Sequence, residues 1–491
     1  MKPFIIIFIS LLSTSFANDK YVPAEFWLTS GDKSVLLKPQ IWEQKEDLSN
    51  QPLKKSLNQI TINSEEKFQS IDGFGFALTG GSAELIYQLP SKIKKEILDE
   101  LFLKDTQDKK SLGINYLRIS IGASDLSSKV FSYDDLEVGQ TSDPELKHFS
   151  LSQDLNNLIP LLKKIIKINP KIKILASPWS APSWMKTNKS FVAGKLDPIY
   201  YSNYAHYFVK YIKAMKAHGI SIEAITIQNE PLNPNNNPSM IMEAKEELTF
   251  IKNYLGPLFK KELIKTKIIV WDHNCDLPEY PLTILKDPEA AKYIDGSAFH
   301  LYLGMPDALT KVHNAFPSKN VYMTEQWVGG PSDFNVDFIW HVKNMIIGSM
   351  RNWSKNVIEW NIAADTNYGP HTQGGCQNCL GALTIEIDSL GQLKSPILRN
   401  TSYYVIAHAS KFIPPGAIRI ASESTLATLS NVAFQTADGT IILIVLNEKN
   451  TEQEFQINFK DKIKNAILPA RSVGTFTWSY DKYFLKLTKS F

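Results

Sequence analysis

The sequence predicts an α/β protein in which a (β/α)8 TIM barrel carries an all-β sandwich built from strands at both ends of the chain. Between about Phe68 and Phe412, short apolar or β-branched runs alternate with longer amphipathic stretches, which is the pattern of repeated βα units around a parallel sheet. After Pro414-Pro415-Gly416 the pattern changes to alternating strands with a hairpin signal at Ala437-Asp438-Gly439, which is typical of an all-β module.

The first of these regions contains eight strand candidates, the number that closes a barrel of this kind. They are residues 70–76, 116–121, 172–177, 222–228, 267–272, 296–302, 320–325 and 356–361. Helical patterns lie between them, for example at residues 90–102, 200–218, 240–259 and 338–353. Several strand candidates are apolar throughout, as expected for strands buried on both faces of a parallel sheet.

The N-terminus has the pattern of a secretory leader. Lys2 precedes an apolar run at residues 4–12, and the small residues Ser15 and Ala17 favour cleavage after Ala17. We therefore expect a signal peptide at residues 1–17 and an exported protein, either secreted or periplasmic. The apolar run is about half the roughly 20 residues that a membrane span needs, so no transmembrane segment is expected.

Short strand patterns also precede the first barrel unit, at residues 26–28, 34–37 and 59–62. We expect them to pair with C-terminal strands such as 417–421 and 440–446 in one discontinuous sandwich. The expected division is therefore N-terminal strands of the sandwich at 18–67, the catalytic barrel at 68–412 and the C-terminal sandwich at 413–491.

Charge and cysteine content limit the partners. Basic and acidic residues number 53 and 50, and no basic run interleaved with aromatics suggests nucleic-acid binding. Of the three cysteines, Cys376 and Cys379 lie close enough for a local disulfide in an oxidising compartment, with free thiols as the alternative, whereas Cys275 is isolated. A zinc site would need a second ligand pair, so no metal is expected. The oligomeric state is left open.

Two strand candidates end in a glutamate. The fourth runs into Gln228-Asn229-Glu230-Pro231 and the seventh into Thr324-Glu325-Gln326-Trp327. Active sites of (β/α)8 barrels lie at the C-terminal ends of the strands. Because glycoside hydrolysis requires two carboxyl groups, we interpret Glu230 and Glu325 as a catalytic pair. The alternative is that each is a solvated glutamate at the end of a strand.

Aromatic residues cluster at the same strand ends, where their planes would bind the apolar faces of sugars. They are Trp179, Trp184, Trp271, Tyr302, Trp327 and Trp360. Arg118 beside a nucleophilic glutamate would hold its carboxylate ionised, although a structural ion pair at the barrel rim is also consistent with the pattern. His300 either orients Glu325 or is a satisfied histidine inside the rim.

Six ordered motifs resemble glycoside hydrolase family 30, and the resemblance runs from about Phe68 to the end of the chain. They are Ile71-Asp72-Gly73-Phe74-Gly75, Ala176-Ser177-Pro178-Trp179-Ser180, Trp184-Met185-Lys186-Thr187-Asn188, Gln228-Asn229-Glu230-Pro231, Asp287-Pro288-Glu289-Ala290-Ala291-Lys292-Tyr293 and Ser410-Lys411-Phe412-Ile413-Pro414. The resemblance implies that Glu230 is the acid/base and Glu325 the nucleophile of a retaining enzyme without metal or cofactor. It also implies a glucose-binding subsite lined by Arg118, Trp179, Asn229, Tyr302 and Trp360.

The resemblance implies a glucosylceramidase-like activity, which converts glucosyl-N-acylsphingosine to glucose and ceramide. An endo-β-1,6-glucanase of the same family and a non-catalytic carbohydrate-binding protein are the alternatives. Three departures from the glucosylceramidase pattern bear on the substrate: Gly80 replaces a sugar-binding aspartate, Leu301 replaces a tryptophan, and the segment 365–379 carries the cysteine pair. These departures resemble bacterial members of the family that act on β-1,6-glucan.

Overall fold

The structure is a computed structural model that describes residues 25–42, 58–104, 110–460 and 462–479. The expected leader at residues 1–17 lies outside this range, so export stays a prediction. Within the described ranges, no helix combines the length and the apolar character needed to cross a membrane.

Eight parallel strands close into a barrel, with the eighth strand pairing beside the first. From the first to the eighth, the barrel strands are Gly73–Ala77, Tyr116–Ser120, Lys173–Ser177, Ala224–Thr226, Lys267–Asn274, Ile294–His300, Asn320–Glu325 and Ser354–Glu359. Each falls on one of the eight strand candidates, so the barrel prediction is confirmed. Inward side chains such as Tyr116, Leu175, Ile269 and Tyr322 pack together and fill its interior.

The barrel helices pack around the strands; some are amphipathic, such as Leu158–Ile168, while Thr401–Ser410 is buried at nine of its ten residues. Their bounds are Gly80–Gln88, Ser91–Phe102, Leu158–Ile168, Tyr201–Ala217, Ala244–Phe250, Gly256–Lys261, Glu279–Leu285, Pro288–Ala291, Asp307–Ala315, Phe334–His341, Ser349–Arg351 and Thr401–Ser410, with π-helical turns at Ile251–Leu255 and Val342–Gly348. The pattern at 240–259 begins as a helix only at Ala244, because Glu243 and Glu246 form a capping box there.

Strands from both ends of the chain form one nine-stranded sheet. It contains Glu25–Ser30, Lys38–Ile41, Gln59–Ser70, Ile418–Ser424, Leu429–Gln435, Thr440–Asn447, Gln453–Phe459, Lys462–Leu468 and Ser472–Ser479. Glu25–Ser30 pairs with Ser472–Ser479, and Gln59–Ser70 lies between two C-terminal strands. The expectation that both ends of the chain share one β module is confirmed, as is the hairpin turn before Thr440.

The expected strand at residues 34–37 is wrong, because the second strand begins at Lys38 instead. The carboxylate of Asp32 accepts hydrogen bonds from the amide and the hydroxyl of Ser34, and Leu37 has a positive φ of 45°. A short polar side chain that bonds to the nearby backbone competes with strand pairing, so this segment forms the hairpin loop.

The strand Thr440–Asn447 joins the β module to the barrel, because its alternate side chains pack into two different cores. Ile442, Ile444 and Leu446 belong to the core that continues into the barrel, whereas Leu443 and Val445 belong to a second core within the module. Because one face of the sheet is buried against the barrel, the module supports the barrel helices from outside and contributes no residue to the cavity described below.

Candidate active site

A cavity of about 640 Å³ opens at the C-terminal end of the barrel strands. Its lining includes both predicted catalytic glutamates and five of the six predicted aromatic residues, Trp179, Trp271, Tyr302, Trp327 and Trp360. The sixth, Trp184, is buried elsewhere and donates its indole N–H to Asp134. Barrel geometry therefore brings together residues that lie far apart in sequence, as the fold predicts.

The two glutamates face each other across the cavity. Glu325 is the last residue of the seventh strand, while Glu230 lies in the turn after the fourth strand, where its amide bonds to the Asp272 carbonyl at 3.0 Å. A carboxylate oxygen of each lies within 4.8 Å of the other and of a ring nitrogen of His300. Carboxyl groups about 5 Å apart are typical of retaining glycosidases, because no water fits between them and the sugar.

Glu325 is surrounded by hydrogen-bond donors. The guanidinium of Arg118 forms an ion pair with one carboxylate oxygen, and the Tyr302 hydroxyl donates to the other at 2.8 Å. Burial raises the pKa of Glu325 above its ordinary value, and the positive charges of His300 and Arg118 act in the opposite direction. The predicted contact between Arg118 and Glu325 is present, and it fixes one face of the carboxylate.

Glu230 has a different environment. His300 lies 3.1 Å from one carboxylate oxygen, and the Asn233 amide donates to the other at 2.7 Å. Burial disfavours the charged form, but the hydrogen bond and the charge of His300 outweigh it and lower the pKa of Glu230 to about 2. The backbone of Glu230 has a φ of 46°, a conformation that non-glycine residues rarely adopt and that is concentrated at functional sites.

His300 lies nearer to Glu230 than to Glu325, from which its Nδ1 is 3.6 Å away. Its other ring nitrogen contacts Asp272 at 3.1 Å, so both nitrogens face carboxylates. Burial alone would lower the pKa of His300, but the charge of Glu325 and the bonds to Asp272 and Glu230 raise it to about 9. A doubly donating imidazolium is therefore the form that this environment stabilises.

Asp272 connects these groups and was missed by the sequence analysis. It accepts hydrogen bonds from Arg118, His300 and three hydroxyl groups, those of Ser177, Thr226 and Thr324. The Arg118 charge and these bonds overcome burial and hold the pKa of Asp272 well below its usual range. Asp272 lies at a bulge in the fifth barrel strand, which directs its carboxylate inward. The sequence signal that could have indicated this site residue was a single aspartate directly after an apolar run.

Trp179 and Trp360 form the apolar floor of the cavity. Their rings stack at a centroid distance of 5.4 Å, and the guanidinium of Arg118 lies over the Trp179 ring at 4.9 Å. Arg118 also donates to the side-chain oxygen of Asn229 at 2.6 Å, which places that predicted binding residue beside the glutamates. The indole N–H of Trp179 is buried, has no hydrogen-bond partner among the residues that the structure describes, and is available to a ligand.

Asp125 supplies a further carboxyl group to the cavity. It follows the second strand and is only 5% exposed, and one of its carboxylate oxygens is buried with no hydrogen-bond partner in the described part of the chain. Burial raises its pKa to about 7, and the charges of Glu325 and Glu230 add to that shift. The residues before Asp125, Gly122-Ala123-Ser124, are small and form no pattern from which a site residue could be predicted.

Gly80, where the resemblance implies the loss of a sugar-binding aspartate, is not among the residues that line the cavity. Gly80 begins the helix Gly80–Gln88, and a Cβ built there would lie 2.8 Å from the hydroxyl oxygen of Ser127. Asp125 provides a carboxyl group in the cavity instead. Leu301 is buried and is likewise not among the residues that line the cavity.

Glu230, His300 and Glu325 are also the only group among the described residues whose ligand atoms are spaced for a metal ion. A divalent cation there would have to replace the proton of His300 and approach the guanidinium of Arg118. The donor set fits proton transfer better than metal coordination, because two positive charges already neutralise the carboxylates.

The chain is similar to known proteins over most of its length. The profile of the glycosyl hydrolase family 30 TIM-barrel domain matches residues 71–413, and that of the family 30 beta sandwich domain matches residues 416–476. An endo-1,6-beta-D-glucanase of Neurospora crassa is 36% identical over 404 residues, which cover 78% of this chain and 80% of that protein. A mouse lysosomal acid glucosylceramidase is 28% identical over 450 residues, covering 85% and 83%.

A solved endo-beta1,6-glucanase structure superposes with a TM-score of 0.84 and 33% sequence identity, covering 93% of this chain and 100% of that one. The similarities identify a glycosidase, so the alternative of a non-catalytic carbohydrate-binding protein is set aside.

Proposed function

This chain belongs to glycoside hydrolase family 30, and from the chemistry of its site we propose that it is a retaining endo-β-1,6-glucanase. The observation that carries the choice of substrate is the similarity to endo-1,6-β-glucanases, which are 32–36% identical and include a solved structure with a TM-score of 0.84, whereas glucosylceramidases of nematode and mouse are 28–32% identical. The glucosylceramidase activity expected from the sequence motifs is therefore the second candidate.

The cavity suits a β-1,6-linked chain. Each internal unit of that polymer keeps its hydroxyls at positions 2, 3 and 4 free, so a sugar hydroxyl can pair with the buried carboxyl of Asp125 while the chain continues through oxygen 6. A buried carboxyl that remained unpaired would cost about 1–3 kcal/mol. The cavity also extends past the glutamates along residues 232–236, which leaves space on the leaving-group side.

In the proposed mechanism, Glu325 attacks the anomeric carbon and forms a glycosyl-enzyme, while Glu230 protonates the departing oxygen. Glu230 then removes a proton from water, which attacks the same carbon, so two inversions give net retention of the β configuration. Arg118 and Tyr302 hold the Glu325 carboxylate in position for the first step.

The proton for the leaving group is shared between Glu230 and His300. In the free site it lies on the imidazole, because the pKa of His300 is raised to about 9 and that of Glu230 is lowered to about 2. Their 3.1 Å contact provides a direct path for the proton to pass to Glu230 as negative charge develops on the leaving oxygen. The pair therefore acts as a single acid with one proton.

This sharing predicts a bell-shaped pH dependence of kcat/KM. The acidic limb reflects ionisation of Glu325, whose raised pKa places the limb above the ordinary glutamate value of about 4.3. A raised pKa of His300 means that its proton is present at lower pH and lost as the pH rises through about 9, so the alkaline limb lies in that direction. Initial rates at low substrate concentration between pH 3 and 10 measure both limbs.

The matched variants are His300→Asn and His408→Gln. His300→Asn keeps a donor toward Glu230 but carries no titratable proton, so the alkaline limb should move down by more than about one pH unit. His408 is also buried, but it bonds to Thr29 and Thr475 at the β module, and its replacement should leave the profile unchanged. An unchanged alkaline limb in His300→Asn would exclude the shared proton.

A substrate panel tests the proposed function. The wild-type enzyme should cleave linear β-1,6-glucan with a kcat/KM at least about a hundredfold above that for glucosylceramide in mixed micelles, since the cavity is expected to discriminate at more than one sugar. Internal cleavage should release a series of oligosaccharides and lower the mean chain length early in the reaction. Release of glucose alone, together with efficient cleavage of glucosylceramide, would favour the second candidate.

A further inference from the structure

The segment 365–380, here called the bridge loop, follows the eighth barrel strand and contains the disulfide between Cys376 and Cys379. Cys379–Leu380 pairs antiparallel with Val328–Gly329, just after the nucleophile Glu325. The amide of Gly330 also donates to the carbonyl of Asn378 at 2.8 Å, inside the four-residue ring closed by the disulfide. The bridge loop is therefore fixed to the segment that leaves the seventh strand.

The bridge loop also contacts the loops after the second and fourth strands. The amide of Thr372 donates to the carbonyl of Asp125 at 2.8 Å, and the side-chain amide of Asn237 donates to the carbonyl of Gln373 at 2.7 Å. Gly375 lies so close to Asp125 that an added Cβ would be 2.5 Å from its carbonyl oxygen. The loops carrying Asp125, the acid/base and the nucleophile thus meet at one short segment.

Both cysteines line the substrate cavity. Cys379 is buried in an apolar cluster with Trp179 and Trp360, while Cys376 is half-buried and is followed by the exposed residues Gln377 and Asn378. A small reductant can therefore reach the disulfide from solvent, although one of its sulfur atoms belongs to the wall of the cavity.

Asp125 depends on this loop for its position. Its carbonyl is held by Thr372, and the backbone amide of Cys376 stabilises its carboxylate. The remaining oxygen has no partner within the described residues, so the amide of Cys376 is the contact from another segment that directs the carboxylate. A small movement of the bridge loop would release the carboxyl group of Asp125 from its fixed position. Because the group would then have to be ordered when substrate binds, the affinity for substrate would fall.

We propose that the Cys376–Cys379 disulfide is a positioning element for substrate binding, which acts by holding Asp125 against the cavity. The proposal rests on the proposed glycosidase function of the same site. The glutamates have their own supports, in Arg118, Tyr302, His300 and Asn233, none of which lies in the bridge loop. Opening the disulfide should therefore weaken substrate binding and leave the chemical step nearly unchanged.

Dithiothreitol provides the test on the wild-type enzyme. One thiolate of dithiothreitol attacks a sulfur of the disulfide and forms a mixed disulfide with it. The second thiol of the reagent then displaces the cysteine and closes the cyclic oxidised form of dithiothreitol. Two electrons and two protons thereby pass to the protein, which now carries two cysteine thiols. With a fluorogenic aryl β-gentiobioside, KM should rise about tenfold while kcat changes less than about twofold. Reoxidation should reverse the effect.

The double variant Cys376→Ala/Cys379→Ala should reproduce this rise in KM and should no longer respond to dithiothreitol, which controls for effects of the reductant elsewhere, including at Cys275. Thiol titration confirms that the bridge is open, and the melting temperature shows that the protein is folded. If the double variant does not fold, the reduced wild-type enzyme still gives the comparison.

A purely structural disulfide is distinguished by combining the double variant with Asp125→Ala. If the bridge acts through Asp125, the Asp125→Ala variant already shows the rise in KM, and removing the bridge adds less than about twofold. The proposal would be overturned if the rises in KM caused by Asp125→Ala and by loss of the disulfide multiplied in the combined variant. It would also be overturned if KM stayed unchanged in the reduced and folded enzyme. Failure of the oxidised enzyme on every β-1,6 glucoside would instead contradict the glucanase assignment, and the same comparison would then use an aryl β-glucoside.

Discussion

Glu325→Gln is expected to leave a folded protein with less than about a hundredth of the wild-type turnover on every β-glucoside. A neutral amide cannot form the glycosyl-enzyme, and loss of the nucleophile should remove several kcal/mol of transition-state stabilisation, of which a hundredfold already represents about 2.7 kcal/mol. Steady-state rates on both an aryl glucoside and the β-1,6-glucan measure the loss, because an activated leaving group does not bypass a missing nucleophile.

The variant should fold because the surrounding charges retain partners. Arg118 keeps its ion pair with Asp272 at 2.9 Å, and the amide oxygen of the new glutamine can still accept the hydroxyl of Tyr302. The guanidinium is therefore not left buried and unpaired, which is the change that most strongly destabilises a protein core. The melting temperature should fall little in comparison with the loss of activity.

Glu247→Gln is the matched control. Glu247 is also buried, and burial raises its pKa to about 8, so the side chain is already neutral at pH 6 and glutamine resembles the form present. Glu247 lies near Tyr280 and is not among the residues that line the cavity, so its replacement should preserve activity. A folded Glu325→Gln enzyme that kept more than a hundredth of wild-type turnover would exclude Glu325 as the nucleophile.

The sequence was most informative where one local pattern carried the signal. Polar residues directly after or at the end of an apolar strand indicated Glu230 and Glu325 as a candidate pair, because barrel geometry places all such ends at one rim. The alternation of strands and helices similarly predicted the eight barrel strands. Both inferences need only the period of the pattern and the direction of the chain.

Other parts of the site depend on contacts between distant segments. Asp272 follows an apolar run as the glutamates do, but its role became visible only with the five donors that converge on it from five other barrel strands. Asp125 lies in a loop without regular structure and is fixed by Thr372, which is far away in sequence. The carboxyl group of Asp125 in the cavity was overlooked for the same reason, since motif order alone did not show which loop reaches the cavity.

Glu230→Ala should separate the two chemical roles. Cleavage of β-1,6-glucan should fall by about 10²–10⁴-fold, because an alkoxide leaving group needs the proton that Glu230 supplies. A dinitrophenyl β-glucoside, whose leaving group needs no protonation, should still form the glycosyl-enzyme on Glu325. Its breakdown should then become slow, because no general base remains to activate water, and an initial burst of dinitrophenol should be observed.

Azide should restore turnover of the dinitrophenyl glucoside in this variant. Removal of the carboxylate leaves a space between His300 and Asn233, which contacted its two oxygens at 3.1 and 2.7 Å, and a protonated His300 would attract a small anion there. Azide attacks the glycosyl-enzyme from the face that the leaving group occupied, so the product should be the β-glucosyl azide, identified by its anomeric proton coupling. The wild-type enzyme should form little of this adduct, because Glu230 occupies the space and repels anions. An α-glucosyl azide would mean that azide had replaced the nucleophile, and the roles of Glu230 and Glu325 would have to be exchanged.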